Sequence, residues 1–412
     1  MSDTTNIPHE EGEIDVDSLE TSAIRFIRLI KPTWTSKKII FKKLSTDDNN
    51  IYYSIFPSDY EDEKHGIIVK LYPKNSNVYT DHQKEFQLLE QCAHHRITPR
   101  ILLTFINGYF STYILGQALN IKEDHTHQLI SRKLAEFHSI PLKFKDSFYF
   151  VDKLKQFIDL FTKKNISLHN QLIEIKEEQE KSVDKNQSFL TTLKSAIGLN
   201  TTPTLALTLD QLELQLKDTT WAQLSTEIDF IQSIFENNWS KHNLPMVLCL
   251  NNMNIHNFLY DSKNKTMSII NFDQCSYNYF LIDIVSYFLE IAKDDYDNNY
   301  PQRHIQKLIL TEYLKYSSLN LSNIIYDRLK PIDNELEHLC DLCGLLIAPI
   351  HLYWALWAFL QGLLTKPTST FDYINYGKIR LAQYQKHKQN FFLPLNHSRK
   401  TSNIQLETVH YF

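Results

Sequence analysis

Apolar and polar positions alternate with period two in short runs over the early part of the chain, and from about Asp124 the period becomes helical. Between Lys38 and Leu115, IIFKKL and IYYSIF flank a turn at TDDNN, and GIIVKLY follows. ILLTFI and YFSTYI then surround Asn107-Gly108, a type I′ hairpin signal. DHQKEFQLLEQCAHH, which precedes that hairpin, repeats its apolar residues at helical spacing. The stretch predicts a small sheet of five strands with one helix. Beginning with HQLISRKLAEFHSI, the remainder reads mainly as helix, broken by short strands around 246–273. The pattern predicts an α+β chain with a sheet-rich small lobe at 23–120 and a helical large lobe at 121–395.

Length agrees with two lobes, because 412 residues exceed the roughly 250–300 at which a single hydrophobic core stops growing. A formal charge of -5 gives no basic footprint, which excludes nucleic acid as the expected partner. Five scattered cysteines and no charged n-region before an apolar stretch predict a reducing, cytoplasmic setting. Residues 1–22 are acidic and poor in apolar side chains, which predicts a disordered tail, and 396–412 form a second tail. The polar region from about 160 to 220, with IEIKEEQEK and NTTPTLALT, reads as an insertion of low order. Leu342 to Leu364 has no Asp, Glu, Lys or Arg and is long enough to span a bilayer. Pro349, His351 and Gln361 interrupt it and two tryptophans sit near its centre, so a buried helix of the large lobe is expected, not an integral membrane segment.

Candidate chemistry is sparse but ordered. Lys70 interrupts GIIVKLY on the strand face it shares with Ile68 and Tyr72, and Glu85 follows fifteen positions later on the predicted helix. A strand lysine paired with a glutamate of the next helix is how kinases hold nucleotide phosphates. A lysine snorkelling to water is the bland alternative. Asp283 and Glu290, seven apart in IDIVSYFLE, share a helical face, which by itself reads as a solvated acidic stripe, although Ile284, Phe288 and Leu289 surround them. Trp354 and Trp357 are an i, i+3 pair and Tyr373 lies in the FDY that follows; by themselves these rings read as core packing. Cys340-x-x-Cys343 near His338 lacks the second pair that a zinc site needs.

The segment MVLCLNNMNIHNFLYDSKNKTMSIINFDQCSYNYFLIDIVSYFLE, residues 246–290, resembles the signature of choline and ethanolamine kinases. There a His-x-Asp-x-x-x-x-Asn loop precedes an Ile-Asp-Phe/Tyr-Glu strand, a Tyr-Asn-Tyr turn and a Phe-Asp-Ile helix start. IRLIKPTW, LLTFINGYFSTYILGQALN, RKLAEFH, HLYWALWAFLQ and FDYINYGKIRLAQY extend the resemblance over nearly all of 24–390, closest to the ethanolamine branch. It implies a protein-kinase-like two-lobe fold that binds ATP and Mg2+ and phosphorylates ethanolamine or choline, the first step of phosphatidylethanolamine synthesis in the ethanolamine case. It also allows a homodimer or a heterodimer with a related kinase. By resemblance, Lys70 and Glu85 attend the nucleotide, Asn257 ends the catalytic loop, and Asp283, Glu290, Trp354, Trp357 and Tyr373 belong near the amine.

The chain departs from the pattern at positions that carry charge. Asn252 stands where the family has the aspartate that accepts the hydroxyl proton, and an amide has no basic site near neutral pH. Losing such a base typically costs about 10²–10⁴-fold in rate. Asn271 stands at the metal-holding aspartate, leaving Asn257 and Asp273 as the other metal donors. The loop histidine is Leu250, an apolar plug, and a family tyrosine after the metal strand is Gln274. TDDNN has no glycine and carries two acids where phosphates would lie. These changes predict a catalytically impaired pseudokinase; the alternative is an active ethanolamine or choline kinase with compensating residues.

Overall fold

The structure, a computed structural model, describes residues 7–44, 51–60, 63–73, 76, 80–141, 149–162, 209–216, 218–242, 244–318, 333–364 and 371–392. The TDDNN turn, most of the expected insertion and the C-terminal tail lie outside them.

The five expected strands are present: β2 (Ile39–Lys43), β3 (Ile51–Pro57), β4 (Ile67–Leu71), β5 (Ile101–Phe105) and β6 (Gly108–Thr112). A two-residue β1 (His9–Glu10) joins them, giving the order β1-β5-β6-β4-β3-β2. Residues 7–17 therefore correct the expectation of a free tail. His9 and Glu10 pair in parallel with Thr104 and Phe105, Ile14 is buried, and Asn107 clamps the Ile14 backbone by donating to its carbonyl and accepting from its amide, both at 2.9 Å. One apolar anchor and one side-chain clamp outweigh the acidic composition.

Helix α1 (Leu19–Ile30) buries Leu19, Ala23, Phe26 and Ile27, one face at spacings of 4, 3 and 1, against Val69, Phe105 and Phe110 of the sheet. The β5–β6 hairpin forms where Asn107-Gly108 predicted it, but neither residue has positive φ, so the turn is not type I′. Gly108 answers a close approach instead, since a Cβ there would lie 2.1 Å from the Lys70 carbonyl oxygen. Helix α2 (His82–His94), N-capped by Asp81 at 3.1 Å from the Lys84 amide, packs on the opposite sheet face from α1.

The large lobe is mainly helical. A short sheet, β8 (Met246–Cys249) with β11 (Ser276–Tyr279), frames a hairpin of β9 (Phe258–Asp261) and β10 (Thr266–Ile269) to which β7 (Gln117–Ala118) adds an edge. Around it lie α3 (Asp124–His138), α4 (Tyr149–Phe161), α5 (Leu209–Gln215), α6 (Trp221–Asn237), α7 (Leu281–Ile291), α8 (Arg303–Tyr316), α9 (Asp333–Leu364) and α10 (Tyr373–Phe392). Part of α9 is long and apolar enough to cross a membrane, yet 78% of its most apolar window is buried, with Leu346, Leu352 and Leu356 fully enclosed. Polar bridges span the lobes: Lys84 Nζ donates to Ser276 Oγ at 2.8 Å, and the Ile269 amide to the Ile97 carbonyl at 2.8 Å.

Candidate functional site

The loop from Leu250 to Asn257 is held from beneath by α7. Asp283, in the first turn of that helix and fully buried, accepts the Leu250 amide at 2.6 Å, the Asn251 amide at 2.8 Å and His138 Nε2 at 3.0 Å. His138 Nδ1 lies 2.8 Å from the Tyr313 hydroxyl, which orients the ring. Seven residues on, Glu290 accepts the Ile255 amide at 3.2 Å and Lys293 Nζ at 2.9 Å. The two acids do share a helix face; Glu290 lines the cleft and Asp283 does not, lying beneath the loop instead. Leu250 is buried as an apolar plug.

Asn251 sits in the left-handed region at φ 59°, where asparagine is tolerated, and its Nδ2 donates to the Gln274 carbonyl at 2.8 Å. That turn exposes Asn252 to the cleft. Asn257 is buried, its Nδ2 donating to the Asn252 carbonyl at 3.4 Å and its own carbonyl accepting the Ile270 amide at 2.9 Å. Asn271, also left-handed at φ 67°, follows directly.

Lys70 and Glu85 meet as expected. Lys70 Nζ is 2.8 Å from Glu85 Oε1 in a pair that is 1% exposed on both sides. Burial acts first against both charges, but the pull of each on the other, joined by Asp273 acting on Lys70 and by His82 and Tyr72 acting on Glu85, outweighs it, so Lys70 is held well above the usual lysine range and Glu85 below the usual carboxylate range. The same ammonium donates to Asn271 Oδ1 at 3.1 Å, joining residues 201 positions apart.

A cleft of about 1100 Å³ runs from the sheet, past Asn252, Asn257, Asn271 and Asp273, to an aromatic end on α9 and α10. There Trp354 and Trp357 meet edge-on, ring centroids 5.2 Å apart, and Trp357 meets Tyr373 at 5.9 Å. Gly377 lets α10 close on α9, since a Cβ there would come within 2.5 Å of the Phe359 ring. Gln274 lines the cleft, and the Tyr149 and Tyr353 hydroxyls donate to its Oε1 at 3.0 and 2.8 Å.

Residues 41–385 match the family model for choline/ethanolamine kinase. The chain belongs to that family. It is 24% identical over 388 residues to ethanolamine kinase 2 of Mus musculus, covering 93% of this chain and 85% of the mouse protein. A probable ethanolamine kinase A of Dictyostelium discoideum is 22% identical, over 91% of this chain and 94% of its own length. Among solved structures, a Plasmodium vivax ethanolamine kinase superposes with TM-score 0.65 at 18% identity, covering 91% of each chain. Choline kinase LicA of Streptococcus pneumoniae does so with TM-score 0.52 at 13% identity, over 89% of this chain and 99% of LicA. The fold is thus the protein-kinase-like two-lobe fold of choline and ethanolamine kinases.

Against the choline/ethanolamine kinase signature, the donors at the centre of this cleft are mostly neutral. Magnesium favours carboxylate and phosphate oxygens. Asn257 and Asn271 offer only amides, and Asn271 Oδ1 already accepts a lysine proton at 3.1 Å. Asp273 is the acid left: burial pushes its carboxyl up, against the pull of Lys70, and its Oδ1 is enclosed without a hydrogen-bond partner among the described residues. With one carboxylate and two amides, these residues make a weaker magnesium site than a pair of carboxylates would. Residues to which the sequence reading gave no role also matter here: Asn251 and His138 shape the loop, while Tyr296, Tyr376 and Arg380 line the aromatic end. IRLAQY and RKLAEFH contained two of these, but no local pattern separates them from core residues.

Proposed function

We propose that this chain is an ethanolamine kinase-like protein that keeps the family's amine pocket and has lost efficient phosphoryl transfer. The observation that carries the reading is the Lys70–Asn271 hydrogen bond at 3.1 Å, which commits the metal-position oxygen to an ammonium rather than a cation site. Asn252 compounds it, since an amide takes no proton from a substrate hydroxyl. At the aromatic end, Trp354, Trp357 and Tyr373 with Glu290 suit a small organic ammonium, ethanolamine or choline, through cation–π attraction of roughly 0.5–2 kcal/mol. The protein is read as cytoplasmic, with no nucleic-acid role.

A second reading, an active ethanolamine or choline kinase, is favoured by one observation: Asp273 lines the cleft two residues beyond Asn271 and would serve as a replacement metal ligand. The two part in ethanolamine-dependent ADP release with ATP and Mg2+. Release no faster than that of the Lys70→Ala, Asn257→Ala double variant supports the impaired reading. Release well above that background, lost in Asp273→Asn, supports the active one.

A further inference from the structure

Lys70 does not line the cleft although it stands at its edge. The register of the sheet explains why. Tyr52 on β3 and Tyr109 on β6 are its direct cross-strand partners, so all three side chains share one face. The Lys70 ammonium lies 5.8 Å from the Tyr52 ring centroid and 5.9 Å from that of Tyr109, with Tyr72 at 5.3 Å behind. Tyr52 and Tyr109 face the cleft where the ammonium would otherwise meet it. Tyr109 is wedged by Tyr72 and Phe86, with centroids 6.4 and 6.2 Å away. Glu85 and Asn271 take hydrogen bonds from the ammonium, and three rings surround it.

From this we propose that Tyr52 and Tyr109 exclude nucleotide phosphates from Lys70, so that the cleft takes a small organic ammonium at its aromatic end without a nucleotide. This rests on the non-catalytic reading above and deepens it: impairment lies in nucleotide binding as well as in the missing base. To reach Lys70, a phosphate has to displace two rings held by a buried cation and break the Lys70–Asn271 hydrogen bond. The aromatic end lies on helices of the other lobe and needs neither change.

The test is calorimetric titration of the full-length protein with choline, ethanolamine, MgATP and metal-free ATP, alongside Tyr52→Leu, Tyr109→Leu and the double variant. Wild type is expected to bind an amine saturably, with unchanged affinity in the presence of MgATP, and to give no saturable heat with either nucleotide form. The double Leu variant should gain nucleotide affinity by about 10–100-fold, the value of one charge-assisted hydrogen bond to phosphate. Should that variant fail to fold, Tyr52→Leu at the more exposed position carries the same expectation. MgATP binding by wild type that is weakened in Lys70→Ala overturns the exclusion, as does a folded Leu variant with no gain. ATP binding without ADP release sinks only this inference; binding with ethanolamine-dependent release sinks the non-catalytic reading too.

Discussion

Asp283→Ala separates a residue that braces the loop from one that contacts a ligand. The carboxylate accepts two backbone amides, Leu250 at 2.6 Å and Asn251 at 2.8 Å, in a fully buried setting. Removing it leaves both donors without an acceptor at about 1–3 kcal/mol each, so the expected loss is about 2–6 kcal/mol. His138 also loses its acceptor at 3.0 Å, which places the value toward the upper half. Against a total stability of about 5–15 kcal/mol, that is a large fraction. Urea unfolding followed by tryptophan fluorescence gives the number directly. Glu290→Gln is the control on the same helix: it retains an acceptor for the Ile255 amide, and its loss should stay below about 1 kcal/mol. A loss under about 1 kcal/mol in Asp283→Ala, accompanied by weakened amine binding, would refute the bracing role and restore Asp283 to the amine site.

Breaking the Lys70–Glu85 pair from one side should destabilise by about 3–5 kcal/mol, and the Lys70→Met, Glu85→Gln double variant by clearly less than the sum, because neither charge is then left alone; a double-mutant cycle reads this. Trp357→Ala should weaken choline binding by about 0.5–2 kcal/mol, seen by calorimetry, while urea stability shifts separately through lost packing. His351, fully buried beside Arg380 and with neither ring nitrogen hydrogen-bonded among the described residues, has its pKa depressed well below 6.5 by burial first and Arg380 next. Below pH 6.5 the unfolded chain therefore binds the extra proton, and stability falls as pH falls. Thermal midpoints between pH 7.5 and about 5 should drop less steeply in His351→Phe; an unchanged slope contradicts this.

Much of the architecture is legible in the pattern of apolar positions. Ile67, Val69 and Leu71 turn to one core while Lys70 faces the other way, because a strand alternates without exception once both faces are covered. The Trp354–Trp357 pair follows similarly from helical spacing. What escaped the pattern depends on long-range register. Nothing local tells that Tyr52 and Tyr109 flank Lys70, because that follows from which strands pair and in what alignment. Nothing in IDIVSYFLE tells that Asp283 points at backbone amides thirty-two and thirty-three residues earlier rather than into the cleft. Composition also understated residues 7–17, where Ile14 and Asn107 hold an otherwise acidic segment.

The most direct test of impaired phosphoryl transfer is a single-turnover experiment, with the protein in excess over radiolabelled ATP, Mg2+ present and ethanolamine saturating, run beside the mouse ethanolamine kinase 2 relative. Labelled phosphoethanolamine should form no faster than with the Lys70→Ala, Asn257→Ala variant. Formation at a rate within about tenfold of the mouse relative, a barrier difference of only about 1.4 kcal/mol, would contradict it.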